Sequence, residues 1–277
     1  MTAEQTGREN QMSNGQQTRG QSKPFLRGTP MDENTVQQAL KFFGAMILVA
    51  FMSFIVCSMT SFSNNILRIG INIVIETLII LIFFNKGADM GTEGVSRGEI
   101  LFQHIQKGQE ASQSEKRIPF HPAKGFVIGL LGSSLFVILA LLLALTAERQ
   151  MTGAGTLPTW MESYMRRSEI SDALAGYSQS AAVSATDIFR IIIRLTIMPF
   201  VSICGAENRD LLLTVERLSP ALVLIPAAAY GTGYMQGPSR RRKIHTEIAE
   251  NARRRRIREK RERRARITVP KGPQQLN

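Results

Sequence analysis

A polar stripe interrupts the apolar stretch at residues 66–84. Arg68, Asn72 and Glu76 are spaced four residues apart, so on a helix they share one face. A carboxylate in the middle of a membrane span is either protonated, because loss of water disfavours its charged form, or paired with a cation. The stripe therefore indicates either a proton or cation site of a transporter or, as the more common arrangement, a polar clamp between helices.

Arg190 and Arg194 are the candidate cations for Glu76. They lie in a run at residues 187–204 that also holds ten Ile, Leu, Val or Phe residues and Pro199. Those apolar residues favour insertion by about 3 to 6 kcal/mol, whereas two arginines at the centre of a bilayer oppose it by about 5 to 7 kcal/mol. Since these energies nearly cancel, we expect residues 187–204 to form either a short fifth span or a re-entrant or interfacial segment.

The C-terminal tail, residues 239–277, carries most of the net charge. It holds 15 Lys or Arg and four Glu, a net +11 out of +12 for the whole chain. Such a segment predicts an anionic partner, either lipid headgroups or structured RNA such as that of a ribosome. It has no aromatic residue on which bases could stack. The residues expected to bind are Arg240, Arg241, Arg242, Lys243, Arg253, Arg254, Arg255, Arg256, Arg258, Lys260, Arg261, Arg263, Arg264 and Arg266.

Other residue types with chemical potential are scattered. His104, His121 and His245 have no spacing that makes a metal site, and no Ser, Cys or Thr nucleophile has an interpretable His and acid partner. Cys57 and Cys204 lie in or at the end of apolar runs, which is typical of small buried side chains rather than of a disulfide framework. We therefore expect no cofactor, no metal and no enzymatic activity.

Four apolar runs have the length and composition of membrane spans. They occupy residues 42–62, 66–84, 125–146 and 218–235, and about 20 residues of helix cross a bilayer. Pro220 is suited to the start of the last helix. In the third span, the spacing of Gly125, Gly129 and Ser133 predicts close approach of another helix.

The segments outside these spans are polar. Residues 1–38, rich in Gln, Asn and Gly, predict a disordered arm. In residues 85–124, Gly87, Gly91 and Gly94 indicate a flexible start, and Ser96 with Glu99 fits the capping box of a new helix. The chain thus divides into the arm, a helical membrane domain at residues 39–238, and the basic tail.

The distribution of basic residues decides between two topologies. With four spans, 26 of the 34 Lys and Arg lie on one side of the membrane, as the positive-inside rule requires. A five-span model, with the N-terminus outside, exports the arm and residues 85–124. We favour the four-span model.

The sequence therefore predicts an all-α polytopic membrane protein with four transmembrane helices, one short re-entrant or spanning segment and a basic C-terminal helix. The expected location is a plasma membrane, in a bacterium, with both termini cytoplasmic. We expect a non-enzymatic scaffold or assembly protein whose protein partner the sequence does not identify. The alternative is a small transporter that uses Glu76.

Overall fold

The computed structural model describes residues 23–59, 64–147, 167, 185–205 and 208–268. These residues form helices, and the described ranges contain no strand. We number the helices in chain order: α1 (Glu33–Met59), α2 (Asn65–Gln106), α3 (Gln113–Arg117), α4 (Lys124–Thr146), α5 (Ala185–Thr196), α6 (Met198–Cys204), α7 (Arg209–Met235) and α8 (Gly237–Thr268).

Four of these helices, α1, α2, α4 and α7, are long and apolar enough to cross a membrane. This confirms the predicted fold class. Their lipid-facing positions are occupied by exposed Leu, Ile, Val and Phe side chains, whereas the core between them is packed with aromatic and small residues. The ring of Phe42 in α1 lies 5.1 Å from those of both Phe83 in α2 and Tyr230 in α7, measured between centroids.

The four helices alternate in direction. Near one end of the bundle, Phe42 contacts Phe83, and near the other end the Cys57 thiol donates to Asn72 Oδ1 over 3.3 Å, so α1 and α2 are antiparallel. A Cβ added to Gly125 would meet Tyr234 and one added to Gly129 would meet Ala227, so α4 is antiparallel to α7. Residues 23–32, 85–124 and 236–268 consequently gather at one end of the bundle, as the four-span model expects.

The prediction of a flexible segment followed by a new helix within residues 85–124 is wrong, because helix α2 extends into this region. It continues without a break to Gln106, so there is no flexible start at Gly87 and no helix beginning at Ser96. The glycines serve a different purpose, because a Cβ on Gly87 would lie 2.1 Å from the Tyr230 carbonyl oxygen and one on Gly91 2.2 Å from that of Tyr234. They allow the backbones of α2 and α7 to touch.

The run at residues 187–204 is two short helices. It breaks at Ile197, and Pro199 stands in the first turn of α6, where its missing N–H is not needed. With 12 residues in α5 and 7 in α6, neither reaches the length of about 20 residues that spans a bilayer. The pair brings Ile197 beside Val223, midway along α7, and returns Gly205 to Arg68 in the first turn of α2, as a re-entrant segment does.

Two predicted boundaries were wrong. Helix α7 begins at Arg209 rather than at residue 218, and Pro220 and Pro226 both lie inside it. The arm was predicted to be disordered to residue 38, but α1 starts at Glu33, and before it the backbone N–H groups of Leu26 and Gly28 donate to the carbonyls of Gly98 and Phe120. Residues 1–22 of the arm lie outside the described part of the chain.

Candidate functional sites: the intramembrane charges and the basic helix

The predicted polar stripe faces the helices around α2. Asn72 is fully buried; its amide nitrogen donates to the Arg68 carbonyl at 2.8 Å, and its oxygen accepts from Cys57. The Arg68 guanidinium lies against Gly205 at the end of α6, and its buried Nε has no hydrogen-bond partner. Asn72 thus connects α2 to α1, and Arg68 packs α2 against the re-entrant pair, which is the arrangement expected of a clamp.

Glu76 faces a small cavity between α1, α2, α7 and the junction of α5 with α6. Ser53, Thr196, Phe200 and Pro226 are among the residues that line it with Glu76. Its volume is about 20 Å³, which is room for about one water molecule. Glu76 is partly buried and lies eight residues before Phe84, or about 12 Å along the helix from the end of the apolar stretch. A proton or a water fits this cavity, whereas an organic substrate does not.

Arg190 and Arg194 are not the partners of Glu76. Both bind Glu216 of α7: Arg190 Nε donates to Glu216 Oε1 at 2.9 Å, and Arg194 Nε donates to the same oxygen at 2.7 Å. Asp187 accepts a further bond of 3.2 Å from Arg190. In the part of the chain that the structure describes, Glu76 takes part in no ion pair.

Arg190 and Glu216 at the centre of this cluster are buried, whereas the Asp187 and Arg194 side chains are partly exposed. The side chains of Arg190 and Glu216 are 4% and 2% exposed. Glu216 lies 18 residues before Tyr234 in α7, about 27 Å along the axis, and is therefore at the opposite end of the bundle from the basic segments. Sequence reasoning missed Glu216 because the predicted span began two residues after it. The shared face of Asp187, Arg190 and Arg194 was a signal that an acidic partner was needed.

A second buried ion pair holds the chain where it enters the bundle. Lys124, the first residue of α4, donates to Asp32 Oδ2 at 2.7 Å and to the Ile118 carbonyl at 2.9 Å. The Lys124 and Asp32 side chains are 2% and 3% exposed. This pair joins the segment before α1 to the start of α4, and nothing in the sequence pattern pointed to it.

The described part of the basic tail lies in one helix, α8, whose first turns are held against α2. Gly237 packs backbone to backbone on Gly91. Arg240 donates to Asp89 Oδ1 at 3.0 Å. Arg241 and His245 both reach the Glu99 carboxylate, at 2.9 and 2.8 Å.

The electrostatics of Glu99 follow from this contact. Glu99 lies 15 residues beyond Phe84, outside the apolar stretch of α2. Burial acts to raise the pKa of Glu99, but the hydrogen bonds from Arg241 and His245 outweigh it and hold the pKa below its ordinary value. Glu99 is therefore an anion at neutral pH, and its charge fixes the orientation of α8.

The remainder of α8 presents its basic side chains to solvent. Every side chain described from Thr246 to Arg264 is exposed, including Arg253, Arg254, Arg255, Arg256, Arg258, Lys260, Arg261, Arg263 and Arg264. In the first turns, Arg242 and Lys243 are exposed, and Arg240 and Arg241 are partly buried against α2. The side chain of Arg266 and residues 269–277 lie outside the described part.

Within the described ranges, no group of three or more His, Cys, Asp or Glu could hold a metal ion. Comparison of the chain with protein-family models, curated proteins and solved structures finds no match. The features of the described structure that bear on function are the two charge clusters, the cavity beside Glu76 and the basic helix.

Proposed function

We propose that this protein is a non-enzymatic membrane scaffold or assembly protein that holds a basic helix at the cytoplasmic face for an anionic partner. The observation that carries this proposal is the contact between α8 and α2. Three basic side chains of α8 bind Asp89 and Glu99, so the helix is mounted on the bundle rather than tethered as a loose tail. Because these contacts hold α8 in one orientation relative to the bundle, the helix is suited to bind a partner at a fixed position.

The charge distribution supports a cytoplasmic orientation. Residues 23–32, 85–124 and α8 lie at one end of the bundle, and with the whole arm, Lys41 and Lys271 these segments account for 26 of the 34 Lys and Arg of the chain. Basic residues next to membrane spans are retained in the cytoplasm. We place the protein in a plasma membrane, of a bacterium, with both termini inside. The anionic partner is lipid headgroups or structured RNA.

Transport through Glu76 is the second candidate. The partly buried carboxylate faces a cavity for about one water, which is compatible with proton movement. Against it, the neighbouring Arg68 and Asn72 contact α6 and α1 in the manner of a clamp, and a cavity of about 20 Å³ is too small for an organic solute. The scaffold proposal therefore takes precedence.

A pair of variants separates the two candidates. The tail variant replaces Arg253, Arg254, Arg255 and Arg256 with Gln, and the second variant is Glu76→Gln. Full-length protein is reconstituted in vesicles for measurement of proton flux, and it is also purified from cells in mild detergent for identification of bound protein and RNA.

We expect a bound partner that the tail variant loses and that Glu76→Gln retains, with no flux above that of empty vesicles. A flux that Glu76→Gln abolishes and the tail variant retains would favour the transporter and contradict the scaffold proposal.

A further inference from the structure

Helix α8 leads away from the membrane. Gly237 contacts Gly91, and eight residues further along each helix His245 contacts Glu99. Equal steps in the same direction mean that α8 runs parallel to α2 over this distance. Because α2 is the continuation of a membrane span, α8 follows it outward from the bundle.

The distance from the bilayer follows from the helix geometry. Glu99 is 15 residues past Phe84, about 22 Å along α2 at a rise of 1.5 Å per residue. The headgroup layer extends only about 5 to 8 Å beyond the hydrocarbon. Residues 253–264 of α8 lie beyond His245, so they are further out than one Debye length of about 8 Å from the headgroups at physiological salt. The bilayer that holds the protein is therefore a poor partner for them.

The distribution of side chains around α8 also disfavours a membrane surface. Arg253, Arg254, Arg255 and Arg256 follow one another at about 100°, so these four alone surround the helix. Ile248 and Ile257 are nine residues apart, which places them on opposite sides. A helix that lies in the headgroup layer needs an apolar face and an opposite basic face, and α8 has neither.

We propose that the outer half of α8, residues 246–264, binds the phosphate backbone of double-helical nucleic acid, in folded RNA or in DNA. Residues 246–264 hold nine Lys or Arg against four Glu, a net charge of +5, and a helix with basic side chains on all sides fits a groove or cleft where phosphates approach it from several directions. Eight of its nine described basic residues are Arg, whose guanidinium binds phosphate through two parallel hydrogen bonds. The lack of an aromatic residue argues against base stacking and hence against single strands.

This inference rests on the proposed function, since it requires α8 to face the cytoplasm. It adds the class of partner and the reason for the mounting: the contacts with Asp89 and Glu99 direct the helix past the headgroups, where a large polyanion can reach it. Recognition is expected to depend on charge and shape, without preference for a base sequence.

The test uses the full chain in nanodiscs of zwitterionic lipid, with a fluorescent RNA hairpin, a DNA hairpin of the same sequence and polyuridylate as probes. Binding is followed by fluorescence anisotropy over a salt series from about 50 to 200 mM. The tail variant is compared with a control variant that loses four positive charges elsewhere at the same end of the bundle. The control replaces with Gln four exposed lysines, Lys23, Lys86, Lys107 and Lys116.

We expect a hairpin to bind more tightly than polyuridylate. Each phosphate contact contributes about 0.9 to the slope of log affinity against log salt. The tail variant should therefore lower the slope by about 2 to 4 and raise the Kd at least about tenfold, whereas the control variant changes the Kd by less than about threefold. The RNA and DNA arms identify which duplex is preferred. Tighter binding of polyuridylate, or equal losses in both variants, would overturn the proposal.

A second measurement reports where the helix lies. A fluorophore attached at Glu259→Cys is monitored for quenching by lipids with labelled headgroups, in nanodiscs with and without anionic lipid. We expect little quenching in either, and hairpin affinity that is nearly the same in both. Strong quenching with anionic lipid and loss of hairpin binding would overturn the nucleic-acid inference while leaving the scaffold proposal intact. Absence of binding to lipid and nucleic acid alike would contradict both.

Discussion

Glu216→Gln removes the negative charge that holds α5 against α7. In the native protein, one carboxylate oxygen of Glu216 accepts from both Arg190 and Arg194. The substitution keeps the shape of the side chain and one hydrogen-bond acceptor but leaves two guanidinium groups with insufficient negative charge. Because the Arg190 and Glu216 side chains are 4% and 2% exposed, water cannot compensate for the loss at Arg190, whereas Arg194 is 24% exposed and keeps part of its hydration.

The expected cost follows from that burial. Removing one partner of a buried ion pair typically destabilises a protein by about 3 to 5 kcal/mol, and we take about 3 kcal/mol because Gln still accepts a hydrogen bond. At roughly 2 to 4 °C per kcal/mol for a protein of this size, the midpoint of thermal unfolding should fall by about 6 to 12 °C. The measurement is thermal unfolding of the purified protein in detergent, at neutral pH.

The matched control is Glu93→Gln. Glu93 pairs with Arg97 at 2.6 Å, but their side chains are 49% and 46% exposed, and such pairs contribute about 0 to 1 kcal/mol. Replacing Arg190, Arg194 and Glu216 with Met and Asp187 with Asn, all in one variant, should recover most of the lost stability, since Asp187 otherwise loses its pairing with Arg190 and the fourfold change leaves no unpaired buried charge. If the Glu216→Gln and Glu93→Gln variants unfold at the same temperature, the buried ion pairs of Glu216 do not stabilise the protein as proposed.

Two further predictions concern the contact of α2 with α7 and α8. Gly91→Leu should prevent the native packing of α2 on α7, because a Cβ there would lie 2.2 Å from the Tyr234 carbonyl oxygen. The control Gly44→Leu should be tolerated, since a Cβ at Gly44 would have no atom within 4 Å. Equal yields of folded protein for the two variants would contradict the close approach of the helices. The second concerns pH: because the folded pKa of Glu99 is depressed, its contribution to stability is complete above the ordinary value near 4.3 and is lost as the pH falls through the lower folded pKa. As the pH falls from about 6 to about 3, the midpoint of thermal unfolding should drop further for the native protein than for Glu99→Gln. If the unfolding midpoints of the two proteins change equally with pH, the stabilising role given to ionised Glu99 is wrong.

Much of the fold could be predicted because a membrane span has a simple physical signature. Twenty apolar residues without charge identify α1 and α4 directly, and the small residues of α4 predicted its close packing, which Gly125 and Gly129 make with α7. The long basic helix was also predicted from local sequence, through Glu and Arg residues spaced four apart, such as Glu250 with Arg254. These features depend on local sequence and on the solvent rather than on distant partners.

The errors arose where tertiary contacts override local signals. Gly87 and Gly91 resemble a flexible linker in sequence, but their lack of a side chain is what brings α2 against α7. Asp32 and Lys124 are 92 residues apart, and Glu216 lies 22 residues after Arg194. No periodicity in the chain connects such pairs, so the partners of the predicted charges could not be identified before the helices were placed.

The most direct test of the central claim, four spans that place the basic helix in the cytoplasm, is cysteine labelling in intact cells. Single cysteines replace Ser114, Asn208 and Glu259, all three exposed, while the native Cys57 and Cys204 are buried. We predict that an impermeant thiol reagent labels the cysteine at position 208 in intact cells and those at positions 114 and 259 only after lysis. Labelling at position 259 in intact cells, with protection at position 208, would contradict the account.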